Sequence, residues 1–423
     1  MPASWTVRAN LAGPRLATVN SRRAWLSALA AVAGLVFSLC VAVAPAQAAD
    51  APTDLHGVSR TQSRIQVAWT AVEGEYYKIR YATRSDFSDG RIVKSIEGSP
   101  YTLTGLKPGT LYYLRIAVTD ASGNAQSGWS ATATYPTRPL MKISVGTYNI
   151  KDPDSTAQGP WTTRGPRAAA AVIGQGVQLL GVQEVFEDDD RQEFLDYVNV
   201  AAGGDANYEM APEPDLSAGE DSRIVYDSTR FTLKASGGQL FSYQNGSEER
   251  AWAWGWFEHK TSLRNVFFVT THLSPRSDTA DVRQWSQLLA WVKNKVASLG
   301  VSAYVIITGD FNTTKFEPPA TMLDVSRRNY GYEDVLGQIR NSYSTYRNPA
   351  QRVDAWISSS NRGLRDVREY SVATNRNSNS IDYIFVSKAL KVPYYRVYAQ
   401  PRSGYIMDYL ASDHFLVRAI VSQ

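Results

Sequence analysis

Cysteine is nearly absent from this chain of 423 residues, and histidine is scarce. The only cysteine, Cys40, lies in an apolar N-terminal segment, so the rest of the chain can form no disulfide and depends on its hydrophobic cores. The chain also has no Walker loop, no Gly-x-Gly-x-x-Gly fingerprint, no Ser-His-Asp order and no pair of zinc-binding motifs. These absences argue against the P-loop, dinucleotide-binding, serine-hydrolase and zinc-dependent classes.

A long apolar run occurs at the N-terminus. Four arginines precede the run over residues 24–44, and a small-x-small site follows at Ala46 to Ala48. This order predicts an export signal peptide over residues 1–49, cleaved near Ala48, and a secreted, extracellular protein. The segment from Ser21 to Leu26 also resembles a twin-arginine signal. The alternative is a transmembrane anchor, because about 20 apolar residues can span a bilayer.

The net charge of +4 belongs to this leader. Four of the 44 basic residues and none of the 40 acidic residues precede residue 50, so the remainder is balanced at 40 of each sign. The overall charge is therefore no argument for nucleic-acid binding.

Residues 50–137 read as short strands separated by turns. RIQVAWT, YYKIRYAT and YYLRIAVT alternate apolar and polar side chains, as half-buried strands do. Leu106, Pro108, Thr110 and Tyr112 have the pattern of a tyrosine corner, and Trp69 lies in an early strand. The region resembles a fibronectin type III sandwich, a small all-β module. We expect it to bind a surface or a polymer, and residues 138–141 to be a linker.

From residue 142 to 423 the pattern mixes strands with helices. Helical spacing of apolar residues predicts helices near residues 164–176, 191–203 and 280–300, between many apolar strands. This order of strands and helices predicts an α+β sandwich, in which packed sheets are covered by helices. Trp252, Trp254 and Trp256 share one face of a strand and are predicted to pack in the core, whereas His56 and His259 are predicted surface residues.

Several of these strands begin or end at a polar side chain that is costly to bury. Each one alone is accounted for as a cap or a turn residue, but side chains at neighbouring strand ends converge. Together they offer carboxylates for a metal, amides for a phosphoryl oxygen and histidines for proton transfer. The side chains are Asn149, Glu184, His272, Asp310, Asn312, Asp382, Asp413 and His414.

The chemistry of this set suits phosphoester cleavage. Glu184, Asp413 and the amide oxygen of Asn149 form a hard, oxygen-rich donor set, which fits Mg²⁺ or Mn²⁺, or Ca²⁺, better than zinc. Asp310 can orient or deprotonate a water, and Asn312 can donate hydrogen bonds to a phosphoryl oxygen. A divalent metal offsets the charge of the crowded oxyanions.

The ordered motifs TYN, VQEV, THL, GDFN, SIDYIF and SDH resemble those of the endonuclease/exonuclease/phosphatase superfamily, which includes deoxyribonuclease I. The resemblance covers residues 142–423. It implies a four-layered α/β sandwich and a metal-dependent phosphoric ester hydrolase. It also implies that Asn149, Glu184 and Asp413 bind the metal.

The same resemblance implies catalytic roles. His414, paired with Asp382, resembles the general base and His272 the general acid, while Asp310 and Asn312 resemble the pair that orients the nucleophile. Two matches are looser: Glu220 falls near a carboxylate that supports the acid histidine, and Arg250 resembles an arginine that contacts substrate phosphate. The alternative for Arg250 is a surface residue beside a strand.

The substrate is less constrained than the reaction. Nine arginines and one lysine lie between Asn312 and Asp382, against seven acidic residues, which favours a nuclease acting on DNA, and on RNA as well. We also expect the protein to be a monomer. Phe186, where the nuclease has an arginine, makes QEVF more similar to neutral sphingomyelinases. A phosphatase that acts on phosphorylated inositols would need a cluster of basic residues after GDFN, where this chain has only Lys315. A catalytically inactive binding protein is the remaining alternative, which the six intact motifs disfavour.

Overall fold

The computed structural model describes residues 48–156, 158–213, 221–245, 249–275, 278–313, 339–341, 352–353, 359–360, 380–399, 401–402, 405–406 and 410–423. The chain divides into two units, Met1–Ala48 and Ala49–Gln423, and all the described helices and strands lie in the second. Among the described residues, no helix has the length and apolar character needed to cross a membrane.

Two small antiparallel sheets form the first sandwich. Their orders are β1-β2-β5 and β4-β3-β6-β7. The predicted tyrosine corner is present, because the backbone N–H of Lys107 donates to the Tyr112 hydroxyl at 2.8 Å. Trp69 packs in the core edge-on to Tyr77. The strands are β1 (His56–Arg60), β2 (Ile65–Ala68), β3 (Tyr76–Ala82), β4 (Arg91–Ile96), β5 (Tyr101–Leu103), β6 (Leu111–Thr119) and β7 (Ala133–Pro136).

The larger sandwich begins at residue 142 and contains three helices in its described part. They lie close to the predicted positions and are α1 (Trp161–Gly174), α2 (Asp188–Ala202) and α3 (Asp278–Ser298). Its strands are β8 (Lys142–Asn149), β9 (Leu179–Gln183), β10 (Tyr208–Met210), β11 (Arg223–Asp227), β12 (Phe231–Leu240), β13 (Ala251–His259), β14 (Arg264–His272), β15 (Ala303–Asp310), β16 (Ile339–Asn341), β17 (Arg352–Val353), β18 (Asp382–Ser387), β19 (Lys391–Val397), β20 (Pro401–Arg402), β21 (Tyr405–Ile406) and β22 (Val417–Ser422).

Four layers result from two mixed sheets and their helices. A seven-stranded sheet, β10-β11-β9-β8-β22-β19-β17, packs on a six-stranded sheet, β12-β13-β14-β15-β18-β16. Val145 and Phe268 belong to the core between the sheets, where both faces are apolar. Val172 of α1 and Val198 of α2 pack on the first sheet, and Trp285 of α3 packs on the second. The α+β four-layered sandwich expected from the sequence is therefore confirmed.

The aromatic stripe of β13 lies in the core under α3. Trp252 and Trp254 are buried and Trp256 is half-buried, and Trp252 and Trp254 both contact Trp291 of α3. His56 is exposed, as predicted. The prediction for His259 was wrong: its ring is buried against Phe231, and its Nδ1 lies 2.8 Å from the Ser262 hydroxyl. Buried and half-buried residues alternate over the second half of β13 up to its last residue, His259, although the apolar residues of the sequence end before it.

Candidate active site

The strand register aligns three of the predicted side chains in one row. His272 at the end of β14 is opposite Asp310 at the end of the parallel strand β15. Asp310 is in turn opposite Asp382, the first residue of the antiparallel strand β18. On the facing sheet, Asn149 ends β8 next to Gln183 of β9, immediately before Glu184. The two sheets therefore bring their polar ends to the same edge of the sandwich.

Two histidine–carboxylate pairs flank Asp310. Nε2 of His272 and Nε2 of His414 each lie 3.5 Å from Oδ2 of Asp310. Nδ1 of His414 is hydrogen-bonded to Asp382 at 2.8 Å, and Nδ1 of His272 is hydrogen-bonded to Asp221. All five side chains are buried. The arrangement is symmetric about one carboxylate, because each imidazole presents its Nε2 to Asp310 and has a second carboxylate bound at its Nδ1.

Burial and charge shift the pKa values of this row. Burial alone lowers the pKa of His414, but the charges of Asp382 and Asp310 outweigh it and raise that pKa to about 10. Burial, followed by the charge of Asp382, raises the pKa of Asp310. The charge of Asp221 raises the pKa of His272 against the opposing effect of burial. In this geometry His414 favours its protonated form at neutral pH, whereas a general base must be neutral.

The carboxylate that supports His272 is Asp221, which sequence reasoning missed by one position. Glu220, the predicted residue, lies outside the described residues. Asp221 lies two residues before the start of β11 and is buried. Burial raises its pKa, but the charge of His272, the hydrogen bond with His272 and the charge of Arg250 lower it overall. The sequence did contain a signal, since two adjacent acidic residues precede SRIVYD. The strand register decides which acidic side chain faces His272, and the sequence alone does not show this register.

Arg250 is not a surface residue. It is buried before β13, and its Nη1 donates to Asp221 at 2.9 Å and lies 2.8 Å from Nδ1 of His272. The described contacts therefore place Arg250 against the Nδ1 side of His272. A contact with substrate phosphate stays a prediction.

Asn149 links Asp310 and its two histidine neighbours to the predicted metal ligands. Its Nδ2 donates to Glu184 at 2.7 Å and to Asp310 at 3.1 Å, while its Oδ1 accepts the backbone N–H of Lys151 at 3.0 Å. Burial alone raises the pKa of Glu184, but the charges of His272 and Lys151 and the bond from Asn149 lower it overall. Glu184 is therefore held as a carboxylate.

The ammonium of Lys151 shows that Glu184 and Asp413 face a common point. Its Nζ lies 3.4 Å from Oε2 of Glu184 and 3.8 Å from Oδ2 of Asp413. Two carboxylates that share a cation, with an amide beside them, are hard oxygen donors of the kind that Mg²⁺, Mn²⁺ and Ca²⁺ take. Glu184 and Asp413 of the predicted set therefore fit a divalent metal, whereas Asn149 directs its Nδ2 group to Glu184 and its oxygen to the backbone N–H of Lys151.

A second set of donor atoms lies beside the first. Asp310, Asp382 and His414 each offer one atom within 4.8 Å of the others. Oδ1 of Asp382 is buried and has no hydrogen-bond partner among the described residues. A buried carboxylate oxygen without a donor is costly, so this set also fits a cation. It adjoins the first set through Asn149, and the two form one continuous site.

Backbone strain is concentrated here. Lys151, Glu184 and Asn312 adopt positive φ angles of 61°, 64° and 50°, which side chains other than glycine rarely do. Asn312 is held by its backbone N–H to Asp310 at 2.8 Å and by its Nδ2 to the Leu273 carbonyl at 2.9 Å. Such strain persists only where surrounding contacts enforce it, and it clusters at functional sites.

Gly309 is required by the close approach of β14 and β15. Its φ is 154°, and a Cβ built there would lie 2.1 Å from the Thr271 carbonyl oxygen. Only a residue without a side chain allows Asp310 to follow at the level of His272.

Comparisons with known proteins agree with this geometry. A family model for the fibronectin type III domain matches residues 50–134. The model of the Endonuclease/Exonuclease/phosphatase family matches residues 104–414, which is more than half of the chain. Its match begins inside the first sandwich, although the strands of the four-layered fold start at Lys142. Comparison with curated protein sequences finds no match.

Solved structures share the fold at low sequence identity. An endonuclease/exonuclease/phosphatase family protein from Bacteroides thetaiotaomicron is 21% identical with a TM-score of 0.51, covering 67% of this chain and 98% of that one. A mannosyl-6-phosphatase from the same species is 23% identical with a TM-score of 0.50, covering 66% and 99%. A functionally unknown conserved protein from Enterococcus faecalis is 18% identical with a TM-score of 0.50, covering 66% and 99%.

Proposed function

Because the chain belongs to the endonuclease/exonuclease/phosphatase family, and is a divalent-metal-dependent phosphoric ester hydrolase, we propose that it is a secreted, monomeric nuclease that hydrolyses DNA, and RNA as well. The observation that carries the reaction class is the row of Asp221, His272, Asp310, His414 and Asp382, joined through Asn149 to the acidic pair Glu184 and Asp413. The substrate rests on further observations below.

The residues divide the work of in-line attack on phosphorus. Asp310 orients the attacking water and accepts its proton, while the protonated His414, whose Nε2 lies 3.5 Å from Oδ2 of Asp310, orients that carboxylate. Asp382 holds the His414 ring through Nδ1. The Nδ2 group of Asn312 has a second N–H beside the one that binds Leu273, and it donates to a phosphoryl oxygen.

The leaving group departs on the other side of Asp310. His272 donates a proton to the leaving oxygen through Nε2, and Asp221 fixes the ring by binding Nδ1. Glu184 and Asp413, together with Asn149, would hold Mg²⁺, or Mn²⁺ or Ca²⁺ in its place. When bound, the metal offsets the negative charge that develops on the phosphoryl and leaving oxygens.

A polynucleotide is favoured by the arginines of the region before Asp382. Arginine binds phosphates through two parallel hydrogen bonds, which suits a repeating backbone. Most of that segment lies outside the described residues, and its composition is what favours a polynucleotide. The alternative substrates are sphingomyelin, which the QEVF motif suggests, and phosphoinositides. Both are included in the substrate panel.

A ladder of cations and aromatic rings on the first sandwich supports polymer binding. The guanidinium of Arg115 lies 4.3 Å from the Phe87 ring centre and 4.8 Å from that of Trp129, with Arg80 and Lys78 at the ladder's ends. Arg80 and Arg115 are directly opposite across β3 and β6, where like charges repel. No carboxylate forms a salt bridge with the three cations within the described ranges. We assign to this face the binding of a polyanion such as DNA.

Secretion is proposed from the leader sequence. Export by the predicted signal peptide would release a chain beginning at Ala49. N-terminal sequencing of the protein recovered from culture medium tests this, and recovery of the intact leader in the membrane fraction would contradict it.

The substrate is tested by one panel of reactions. The chain over residues 49–423 is incubated with plasmid DNA, sphingomyelin vesicles or an inositol phosphate, each with Mg²⁺ or with EDTA. We expect cleavage of DNA only, abolished by EDTA and inhibited by salt, because phosphate contacts release counterions. Turnover of the lipid or the inositol phosphate without DNA cleavage would overturn the nuclease proposal and leave the phosphoester hydrolase in place.

A further inference from the structure

Arg164 of α1 is a fully buried cation beside the metal-side loop. It lies on the apolar face of its helix, between Trp161 and Ala168, where a charged side chain is not expected. Its guanidinium contacts no carboxylate in the described part of the protein. Each of its three nitrogens instead donates to backbone carbonyl oxygens. A buried charge must be compensated, and here the peptide dipoles of two chain segments compensate it.

The first of these segments is the loop that follows β8. Nη1 donates to the carbonyls of Ile150 and Lys151 at 3.0 and 3.2 Å. Nη2 donates to the carbonyls of Asp152, Pro153 and Ser155 at 2.9, 3.4 and 3.0 Å, and Nε donates to Gly159 at 2.9 Å. One side chain therefore binds six backbone carbonyls of the loop between Asn149 and the start of α1.

The second segment is the one that carries Asp413 and His414. Nη1 also donates to the Ala411 carbonyl at 3.1 Å. The Ser412 hydroxyl donates to the Asn149 carbonyl at 2.7 Å and accepts the backbone N–H of His414 at 3.1 Å. The separation between the loop after Asn149 and the segment before Asp413 is thus set by Arg164, with Ser412 as a second link.

A single peptide group connects Arg164 to Glu184. The carbonyl of Lys151 accepts from Arg164, and the N–H of the same peptide group, which belongs to Asp152, donates to Oε2 of Glu184 at 3.1 Å. Hydrogen bonds in such a chain polarise one another, so the guanidinium strengthens the bond that orients this carboxylate.

The strained backbone of Lys151 lies at the centre of these contacts. Its φ of 61° is unfavourable for any residue other than glycine. The hydrogen bond from Arg164 to the Lys151 carbonyl helps to hold this conformation. This conformation places the Lys151 ammonium between Glu184 and Asp413.

We propose that Arg164 is a positioning residue of the phosphoester hydrolase site, which sets the spacing and orientation of Glu184 and Asp413 by joining the loop at 150–155 to Ala411. The inference rests on the proposed use of these carboxylates as metal ligands, and not on the identity of the substrate. Arg164 touches neither substrate nor metal. Groups that orient metal ligands typically change metal affinity about 10- to 100-fold when they are lost.

The test measures binding of the metal alone. Mg²⁺ or Mn²⁺ is titrated calorimetrically into the protein over residues 49–423, without substrate, for wild type, Arg164→Met, Arg164→Lys and the control Arg167→Met. Arg167 is exposed on the same helix, less than one turn away. Lysine keeps the charge but offers one nitrogen, which cannot span both segments. We expect both Arg164 variants to bind the metal at least about 10-fold more weakly, and the control to stay within about twofold.

Two additional readouts separate positioning from folding. Circular dichroism and thermal unfolding identify the folded variants, and amide exchange of Asp152 reports its bond to Glu184, which we expect to weaken in Arg164→Lys. Unchanged metal affinity in a folded Arg164 variant would overturn the proposal. Failure of both variants to fold where Arg167→Met folds would also overturn it, since Arg164 would then act in folding. Weakened metal binding in a protein that cleaves no DNA would sustain this inference while the nuclease proposal fails.

Discussion

The Nε2 atom of His414 lies 3.5 Å from Oδ2 of Asp310, and Nδ1 of the same ring is held by Asp382. His272 approaches the same oxygen of Asp310 from the other side, again with a carboxylate behind it. One carboxylate thus receives two oriented imidazoles. This relationship makes the protonation of Asp310 depend on both rings, and each partner can be removed separately.

In the folded protein, Asp382→Asn is expected to lower kcat at least about 100-fold, because the His414 ring loses the charge that orients it. The pKa of His414, raised to about 10 in part by Asp382, should fall. Initial rates on a small phosphodiester and an NMR titration of the ring measure both effects. Asp205→Asn, at an exposed position, is the control. Unchanged kcat in the folded Asp382 variant would show that the ring needs no orientation.

The pair of Asp221 and His272 should stabilise the fold in a limited pH range. The pKa of Asp221 lies below its usual 3.8, so its contribution is present above that value and is lost as pH falls further. The pKa of His272 lies above its usual 6.5, so its contribution is complete below 6.5 and is lost as pH rises through the shifted value.

Asp221→Asn should therefore reduce the free energy of unfolding most between about pH 4 and 6.5, by about 3 to 5 kcal/mol, because it leaves two buried cationic groups without their carboxylate. Denaturant unfolding of wild type and variant across this range measures the difference. A difference that stays constant from pH 3 to pH 9 would contradict the assigned pair.

Glu184→Gln is expected to raise the Mg²⁺ concentration needed for half-maximal activity, because one hard, charged donor becomes a neutral amide. Removal of metal by EDTA should abolish activity in wild type, and added Mg²⁺ or Mn²⁺ should restore it. Glu187→Gln, at the exposed start of α2, is the matched control and should behave as wild type. Equal metal dependence of both variants would exclude Glu184 as a ligand.

Gly309→Ala should destabilise the protein by at least about 1 to 3 kcal/mol, because its methyl group would overlap the Thr271 carbonyl between β14 and β15. Activity should fall as well, since this register places Asp310 beside His272. Gly98→Ala, where a Cβ meets no atom within 4 Å, is the control. Thermal unfolding and rate measurements on both variants decide, and equal stability would show that the strands can separate without cost.

The strand-end pattern was sufficient to predict most of the side chains that the structure brings together. Asn149, Glu184, His272, Asp310 and Asp382 lie at or next to strand ends, because apolar periodicity reveals where a buried strand stops. The parallel pairing of β14 and β15 was not visible, since it depends on contacts between distant segments. The same limitation affected the support of His272: Glu220 and Asp221 are adjacent acids, and only register places one of them against the ring.

Lys151 and Arg164 were missed for different reasons. The position of the Lys151 ammonium follows from a left-handed backbone that no local residue type requires. Arg164 did carry a signal, because it lies at helical spacing among buried Trp161, Ala168 and Val172. A charged residue on an apolar helix face indicates a buried partner, and here that partner is the backbone of the site. For the arginine-rich segment before Asp382, composition alone bears on the substrate, because most of this segment lies outside the described residues.

The central claim is that Asp310, between His272 and His414, is the catalytic centre of a metal-dependent phosphoester hydrolase acting on DNA. Plasmid nicking by the chain over residues 49–423, compared between wild type and Asp310→Asn in Mg²⁺ and in EDTA, tests it most directly. We predict that wild type nicks DNA in Mg²⁺ and not in EDTA. The folded Asp310→Asn variant should be slower by about 100- to 10,000-fold. Nicking by the variant at the wild-type rate, or nicking that persists in EDTA, would contradict the claim.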